Sequence, residues 1–201
     1  MSTSPSLVNS RLLLLVLAGA LTILLKSSCD RTSVAEESAA LPGDEATISL
    51  KVTSPAFLEG EQIPKKYTGE GLDVSPPLEW VEAPPNTASF ALTCDDPDAP
   101  MGTWDHWVIY NIPANASKLP EAVPTQELLP DGSRQGLNDF GEIGYRGPMP
   151  PPGKPHRYYF TLYALDTVLD LPKPVGREEL EKALEGHVIE ESRLMGTYQR
   201  Q

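Results

Sequence analysis

Asp95-Asp-Pro-Asp-Ala-Pro-Met-Gly-Thr-Trp-Asp-His106 is an acidic, proline-stiffened stretch that carries one histidine. An apolar run, Ser89-Phe-Ala-Leu-Thr-Cys94, precedes it, and a second, Trp107-Val-Ile-Tyr-Asn-Ile112, follows. Continuous apolar runs of this length read as buried strands. Pro97 and Pro100 fix the backbone angle and remove two donors from the connection. The reading is therefore two core strands joined by a rigid loop that bears Asp96, Asp98 and, at the far end, His106. Such a loop suits holding side chains for a ligand.

Working outward, His156-Arg-Tyr-Tyr-Phe-Thr-Leu-Tyr-Ala-Leu165 predicts a long central strand, aromatic and almost continuously apolar. Val188 to Tyr198 predicts a last strand, and Thr47-Ile-Ser-Leu-Lys-Val52 alternates as a half-buried first strand does. Phe57 to Trp80 is rich in Gly and Pro and reads as loops with short strands, with Trp80 in the core. Asn115 to Arg134 is expected to be a long surface connection with a short helical piece, and Gln135 to Gly144 to be turns. Gly147-Pro-Met-Pro-Pro-Pro-Gly153 forms a proline-rich arch. Arg177 to Glu185 is the one convincing helix. Leu180, Ala183 and Leu184 share a face, Glu178 and Lys182 pair at i,i+4, and Gly186 ends it. The whole predicts a mostly β domain with few helices, an antiparallel β-sandwich.

The N-terminus has another character. Arg11 precedes fourteen mostly apolar residues, Leu12 to Leu25, a run too short for a membrane span and suited to a signal-peptide core. Residues 1–28 are read as a signal peptide. Ser27-Ser28-Cys29 resembles a lipoprotein signal in which Cys29 is lipidated, although Lys26 departs from that pattern; ordinary cleavage nearby, or an uncleaved anchor, are the alternatives. Residues 29–46, rich in Ser, Ala, Glu and Gly, read as a flexible tether, and 47–201 as the folded domain. The expectation is an exported, cell-envelope protein, held to a membrane through its N-terminal segment.

The 201 residues carry a formal charge of -12, which argues against nucleic-acid binding through bulk charge, so an anion must be captured by a local site. Two cysteines, Cys29 and Cys94, make neither a disulfide framework nor a metal motif. Cys94 reads as a small buried hydrophobe.

His106 and His156 each open a predicted central strand, Tyr158 shares a sheet face with His156, and Gly147 permits close backbone approach. Two imidazoles, a carboxylate, a phenol and a backbone N–H make a small directional anion site. A carboxylate beside an imidazole is expected to raise the histidine pKa, so that phosphate affinity falls as pH rises. The structural alternative is that a histidine on a strand merely satisfies its own hydrogen bonds. His187 is assigned to structure, and Arg146 to the solvated surface. Two His and an Asp without close ligand spacing make a weak metal case, so neither metal nor cofactor is expected.

Asp96-Pro-Asp-Ala-Pro100, His106-Trp107, Gly144-Tyr-Arg-Gly-Pro148 and His156-Arg-Tyr158 resemble the signature of the phosphatidylethanolamine-binding protein family, also called the Raf kinase inhibitor-like proteins. The likeness is to its bacterial branch. It runs from about Ile48 to the end and takes in Tyr67-Thr-Gly-Glu-Gly71 and Val74-Ser-Pro-Pro-Leu-Glu-Trp80. It implies a fold of two antiparallel sheets. It also implies a pocket for phosphate-bearing head groups and similar anions, lined by Asp96, Asp98, His106, Gly147, Pro148, His156 and Tyr158. No catalysis is implied. A binding module is thus the leading expectation, with a protein partner and a homodimer left open. The alternatives are a hydrolase using His106 and His156 with a carboxylate, or a protease or kinase inhibitor. No serine sits in a nucleophile elbow, which favours binding.

Overall fold

Strand β3 (Ser89–Asp96) is buried along its whole length because it lies in the middle of a five-stranded sheet. Its neighbours are β4 (Trp104–Pro113) and β7 (His156–Leu165), both antiparallel. The order is completed by β6 (Arg134–Gln135) beyond β4 and β8 (Val188–Tyr198) beyond β7. A second, three-stranded antiparallel sheet holds β1 (Lys51–Thr53), β2 (Leu78–Val81) and β5 (Lys118–Leu119). The computed structural model describes residues 49–171 and 174–200. The segments read as signal peptide and tether, with Cys29, lie outside the described residues. Within the described residues no helix is long and apolar enough to cross a membrane.

Alternation along β3 divides its side chains between two cores. Phe90, Leu92 and Cys94 join Trp107, Phe160 and Leu162 in the layer under the small sheet, where Leu50, Val52, Leu78 and Trp80 close the sandwich. Ala91 faces the other way, with Val108, Tyr110 and Leu165, against the helix α1 (Arg177–Leu184) through Leu180 and Leu184. Burial on both faces is why β3, β4 and β7 read as apolar runs and not as alternating ones. The mostly β, two-sheet antiparallel architecture is the one expected from the sequence.

Four local readings are corrected. The Asp95–His106 stretch is less loop than expected: β3 runs on through Asp95 and Asp96, and β4 begins at Trp104, so the turn is residues 97–103. Asn115 to Arg134 contains no helix; Pro120, Pro124 and Pro130 interrupt it, and it supplies β5 and the start of β6. Among the described residues the first strand is the short piece Lys51–Thr53, Thr47 and Ile48 lying outside them, and α1 ends one residue early, with Glu185 as its cap.

The register between β3 and β4 breaks once near the turn. Cys94 opposes Trp107, but Asp95 opposes Asp105, which leaves His106 as an extra residue. That is a β-bulge, and bulges re-aim side chains. Simple alternation would put Asp105 on the face of Trp107 and turn His106 away. The bulge instead sends Asp105 to α1, where it meets Arg177 at 3.0 Å, and turns the His106 ring onto Tyr158, 5.2 Å between ring centres.

Candidate functional site

A cavity of about 290 Å³ opens at the end of the five-stranded sheet where β3, β4 and β7 meet the turn and the proline arch. Asp96, His106, His156 and Tyr158 supply its polar groups. Its walls are apolar: Pro100, Met101 and Trp104 from the turn side, Phe140 from the loop after β6, and Met149 and Pro150 from the arch. A few polar groups inside an apolar wall is the usual make-up of a small-molecule site.

Each polar group is fixed by its element. His156 is the first residue of β7, and its Nδ1 lies 2.8 Å from Asp96 Oδ2, at the end of the neighbouring strand. The other Asp96 oxygen accepts the Asp98 N–H at 2.9 Å, an Asx turn that starts the Pro97 corner. His106 is buried, with Nδ1 donating to the Arg146 carbonyl at 2.6 Å. Its ring also meets Phe140 edge-on. Tyr158 is two residues along from His156 on the same strand face, as expected, and is wholly buried. Its hydroxyl has no hydrogen-bond partner of good geometry among the described residues. Burial, and then the nearby Asp96 carboxylate, push the Tyr158 pKa far up, so the hydroxyl keeps its proton.

The expected rise in histidine pKa is not what happens at His106. Burial pushes it below the ordinary value, outweighing the Arg146 carbonyl and the carboxylates of Asp96, Asp73 and Asp139. Charge pairing wins only where desolvation is modest, and His106 is almost fully enclosed.

The structure brings Asp96, His106, His156 and Tyr158 together at the cavity and places the other three sequence candidates around it. Asp98 turns outward and clasps Arg157 with both oxygens, at 2.7 and 2.8 Å, which holds its carboxyl down at about 2. The Gly147 N–H donates to Asp73 Oδ1 at 2.6 Å. The close approach that Gly147 permits is to protein: a Cβ there would stand 2.4 Å from the Tyr67 carbonyl oxygen. Pro148 accepts the Gly69 N–H at 3.0 Å. Gly147 and Pro148 thus anchor the arch that carries Arg146 into reach of His106. Arg146 is no free surface residue; it pairs with Asp73 and Glu142, each at 3.0 Å. His187 pairs with Asp166 on the surface. Cys94 is fully enclosed and its thiol pKa is raised, first by burial.

Sequence reasoning missed the apolar wall and the Asp73 support. Met101 and Trp104 stand inside the stretch quoted first, where two large apolar residues in an acidic, exposed turn are the available signal. Phe140 and Asp73 lie in turn-rich segments and carry no such mark.

Behind the cavity, on the α1 side of the sheet, Asp95 and Asp105 face each other across the bulge. Arg177 reaches both, at 3.5 and 3.0 Å. Burial raises both carboxyl pKa values, that of Asp105 to about 6, even with the guanidinium beside them.

The sequence profile of the phosphatidylethanolamine-binding protein family matches residues 53–199. A UPF0098 protein of the archaeon Methanothermobacter thermautotrophicus is 52% identical over 151 residues, which are 75% of this chain and 99% of the relative. A UPF0098 protein of Pyrococcus horikoshii is 50% identical over 161 residues, covering 79% of this chain and 80% of the relative. Among solved structures, a phosphatidylethanolamine-binding protein homologue from Chlamydia trachomatis superposes with a TM-score of 0.70 at 41% identity, over 77% of this chain and all of the other (100%). YbcL of E. coli, described as a member of the mammalian family, gives 0.71 at 36% identity, over 76% of this chain and 99% of its own. With a family match over most of its length and relatives this similar, the chain belongs to the phosphatidylethanolamine-binding protein family.

Proposed function

We propose that the chain is a non-catalytic binding protein whose small pocket captures a phosphate-bearing or other anionic small ligand. The observation that carries this reading is the Tyr158 hydroxyl, buried beside His106 and His156 with no hydrogen-bond partner of good geometry among the described residues. An unmade hydrogen bond on a buried group costs about 1–3 kcal/mol, which a ligand oxygen in the cavity would recover. Among the described residues, nothing along the cavity wall supplies a ready nucleophile: Cys94 is buried, and no Ser, Thr or Lys lines it. Met101, 90% exposed at the rim with Phe140 and Met149, gives a protein partner or an apolar ligand tail something to rest on. The N-terminal segment would export the chain and tether it in the cell envelope through Cys29.

Calorimetric titration with phosphate and phosphoethanolamine tests the reading. Saturable binding is expected, and loss of it in both His106→Ala and His156→Ala. Heat that does not saturate, or affinity untouched by either substitution, would remove it.

One observation favours a second reading. The Asp96–His156 pair is arranged as a carboxylate orienting an imidazole, which is what a hydrolase needs to activate a water. Turnover of a phosphomonoester that disappears in His156→Ala would replace binding with catalysis.

A further inference from the structure

Both pocket histidines have their Nδ1 committed to oxygens that accept. His106 Nδ1 lies 2.6 Å from a backbone carbonyl, that of Arg146, so Nδ1 carries the proton. His156 Nδ1 lies 2.8 Å from Asp96 Oδ2, and the same carboxylate already accepts the Asp98 N–H through its other oxygen. The proton between them therefore belongs to the ring. A neutral imidazole has one N–H, so in each ring Nε2 is then a bare lone pair. Neither Nε2 has a partner among the described residues, and both rings line the cavity. With neutral rings the floor offers two lone pairs, a carboxylate edge and a single donor, the Tyr158 O–H.

A fully ionised oxyanion brings acceptors only. Against this floor it would set lone pair on lone pair twice over. The mismatch disappears if the ligand brings one hydrogen, as an O–H on the line between its oxygen and an Nε2. The complex then holds a proton that the separated, ionised partners lack.

We infer that the pocket takes its anion together with a proton, and so selects phosphate monoesters and other oxyacids that keep an O–H near neutrality over oxyanions that do not, such as sulfate. This rests on the anion-binding reading above. A phosphate monoester has its second ionisation near pH 6, so the proton is cheaply at hand; sulfate has none to offer. The charged groups that face the rings are mostly carboxylates. Asp96, Asp73 and Asp139 face His106 from three different segments. Asp96 and Asp98 face His156. The nearby cations are Arg146, already paired with Asp73 and Glu142, Arg157, clasped by Asp98, and Lys154, which lines a different pocket with His156.

The test is isothermal calorimetry of the full chain with inorganic phosphate and with sulfate, between pH 6 and 8, in two buffers of different ionisation enthalpy. Phosphate is expected to bind, and sulfate to bind at least about tenfold more weakly. Above the phosphate ionisation the affinity should fall about tenfold per pH unit, with heats that differ between buffers as one bound proton requires. In His156→Gln, shown to be folded by its thermal melt, an amide N–H is available without a proton from solvent, so the slope and the preference against sulfate should both shrink. Equal binding of sulfate and phosphate, with no buffer dependence, would overturn the proton linkage and leave the anion pocket standing. Failure of both anions to bind would overturn the two together.

Discussion

His106 and Arg146 are joined twice: the Arg146 N–H donates to the His106 carbonyl at 2.9 Å, and His106 Nδ1 donates to the Arg146 carbonyl at 2.6 Å. The ring therefore has no free rotation about its own backbone. Arg146 is in turn gripped by Asp73, which pairs with its guanidinium and takes the Gly147 N–H. Asp73 does this from a left-handed backbone conformation, φ 58°, that aspartate tolerates better than most residues. The orientation of a pocket histidine on the large sheet is thus set by a loop that precedes β2.

Gly147→Ala should damage that chain of support at its centre. The new methyl would stand 2.4 Å from the Tyr67 carbonyl oxygen, 2.7 Å from Thr68 Cα and 2.9 Å from the Asp73 carboxylate. Backbone cannot yield cheaply there, and overpacking of this kind costs about 1–3 kcal/mol. Urea unfolding reads the loss of stability, and phosphate titration reads the accompanying loss of affinity as the arch shifts. A variant as stable as the parent would show that the arch is free to move.

His106 should make the fold acid-sensitive. Its folded pKa lies below the ordinary histidine value of about 6.5, so between the two the unfolded chain binds a proton that the folded chain refuses. Stability is then complete above about pH 6.5 and is lost as pH falls through the folded value. Comparing unfolding free energies at pH 7 and 5, His106→Gln should show a shallower decline than the parent. An unchanged slope would assign the acid sensitivity elsewhere.

β7 was legible because it is apolar or aromatic along a long run, and the predicted limits of β7 and β8, His156–Leu165 and Val188–Tyr198, are those observed. The bulge at His106 was not legible, since an extra residue in a strand leaves no mark in residue type. Without it, alternation would leave His106 on the wrong face to meet Tyr158. Gly147 was read as an opening for a ligand, whereas the same lack of a side chain serves packing against Tyr67 and Thr68. Asp98 was placed with the ligand-binding groups, but in the turn just past β3 it meets Arg157 of β7, and that cation takes both its oxygens.

Asp98 and Asp96 should therefore separate in experiment. Asp98→Ala removes a surface pair with Arg157, half of which is exposed, and should cost less than about 1 kcal/mol. That contribution is present above the ordinary aspartate value and is lost as pH falls through about 2, so it is invisible near neutrality to a pH titration. Phosphate affinity should change less than about threefold, as no Asp98 atom lines the cavity. Asp96→Asn leaves one acceptor oxygen where two are used, by His156 Nδ1 and the Asp98 N–H, and should abolish measurable binding. Equal losses in the two variants would place Asp98 in the site after all.

Arg177→Met should expose what the guanidinium does behind the cavity. Without it Asp95 and Asp105, both largely buried, face each other uncompensated. Removing one partner from such a cluster costs roughly 3 kcal/mol. Asp105 fixes the pH dependence. Its folded pKa, about 6, lies above the unfolded value of about 3.9, so the folded chain holds the extra proton between them. Its contribution is favourable at low pH and is lost as pH rises through about 6, and the loss is steeper once Arg177 is gone. Urea unfolding of Arg177→Met should thus show a larger deficit at pH 7.5 than at pH 5. Adding Asp105→Asn, which deletes the charge, should restore part of the stability at pH 7.5 and little at pH 5. A deficit that is the same at both pH values would mean that Arg177 acts through packing of its stem on the sheet, and that the paired aspartates tolerate each other without it.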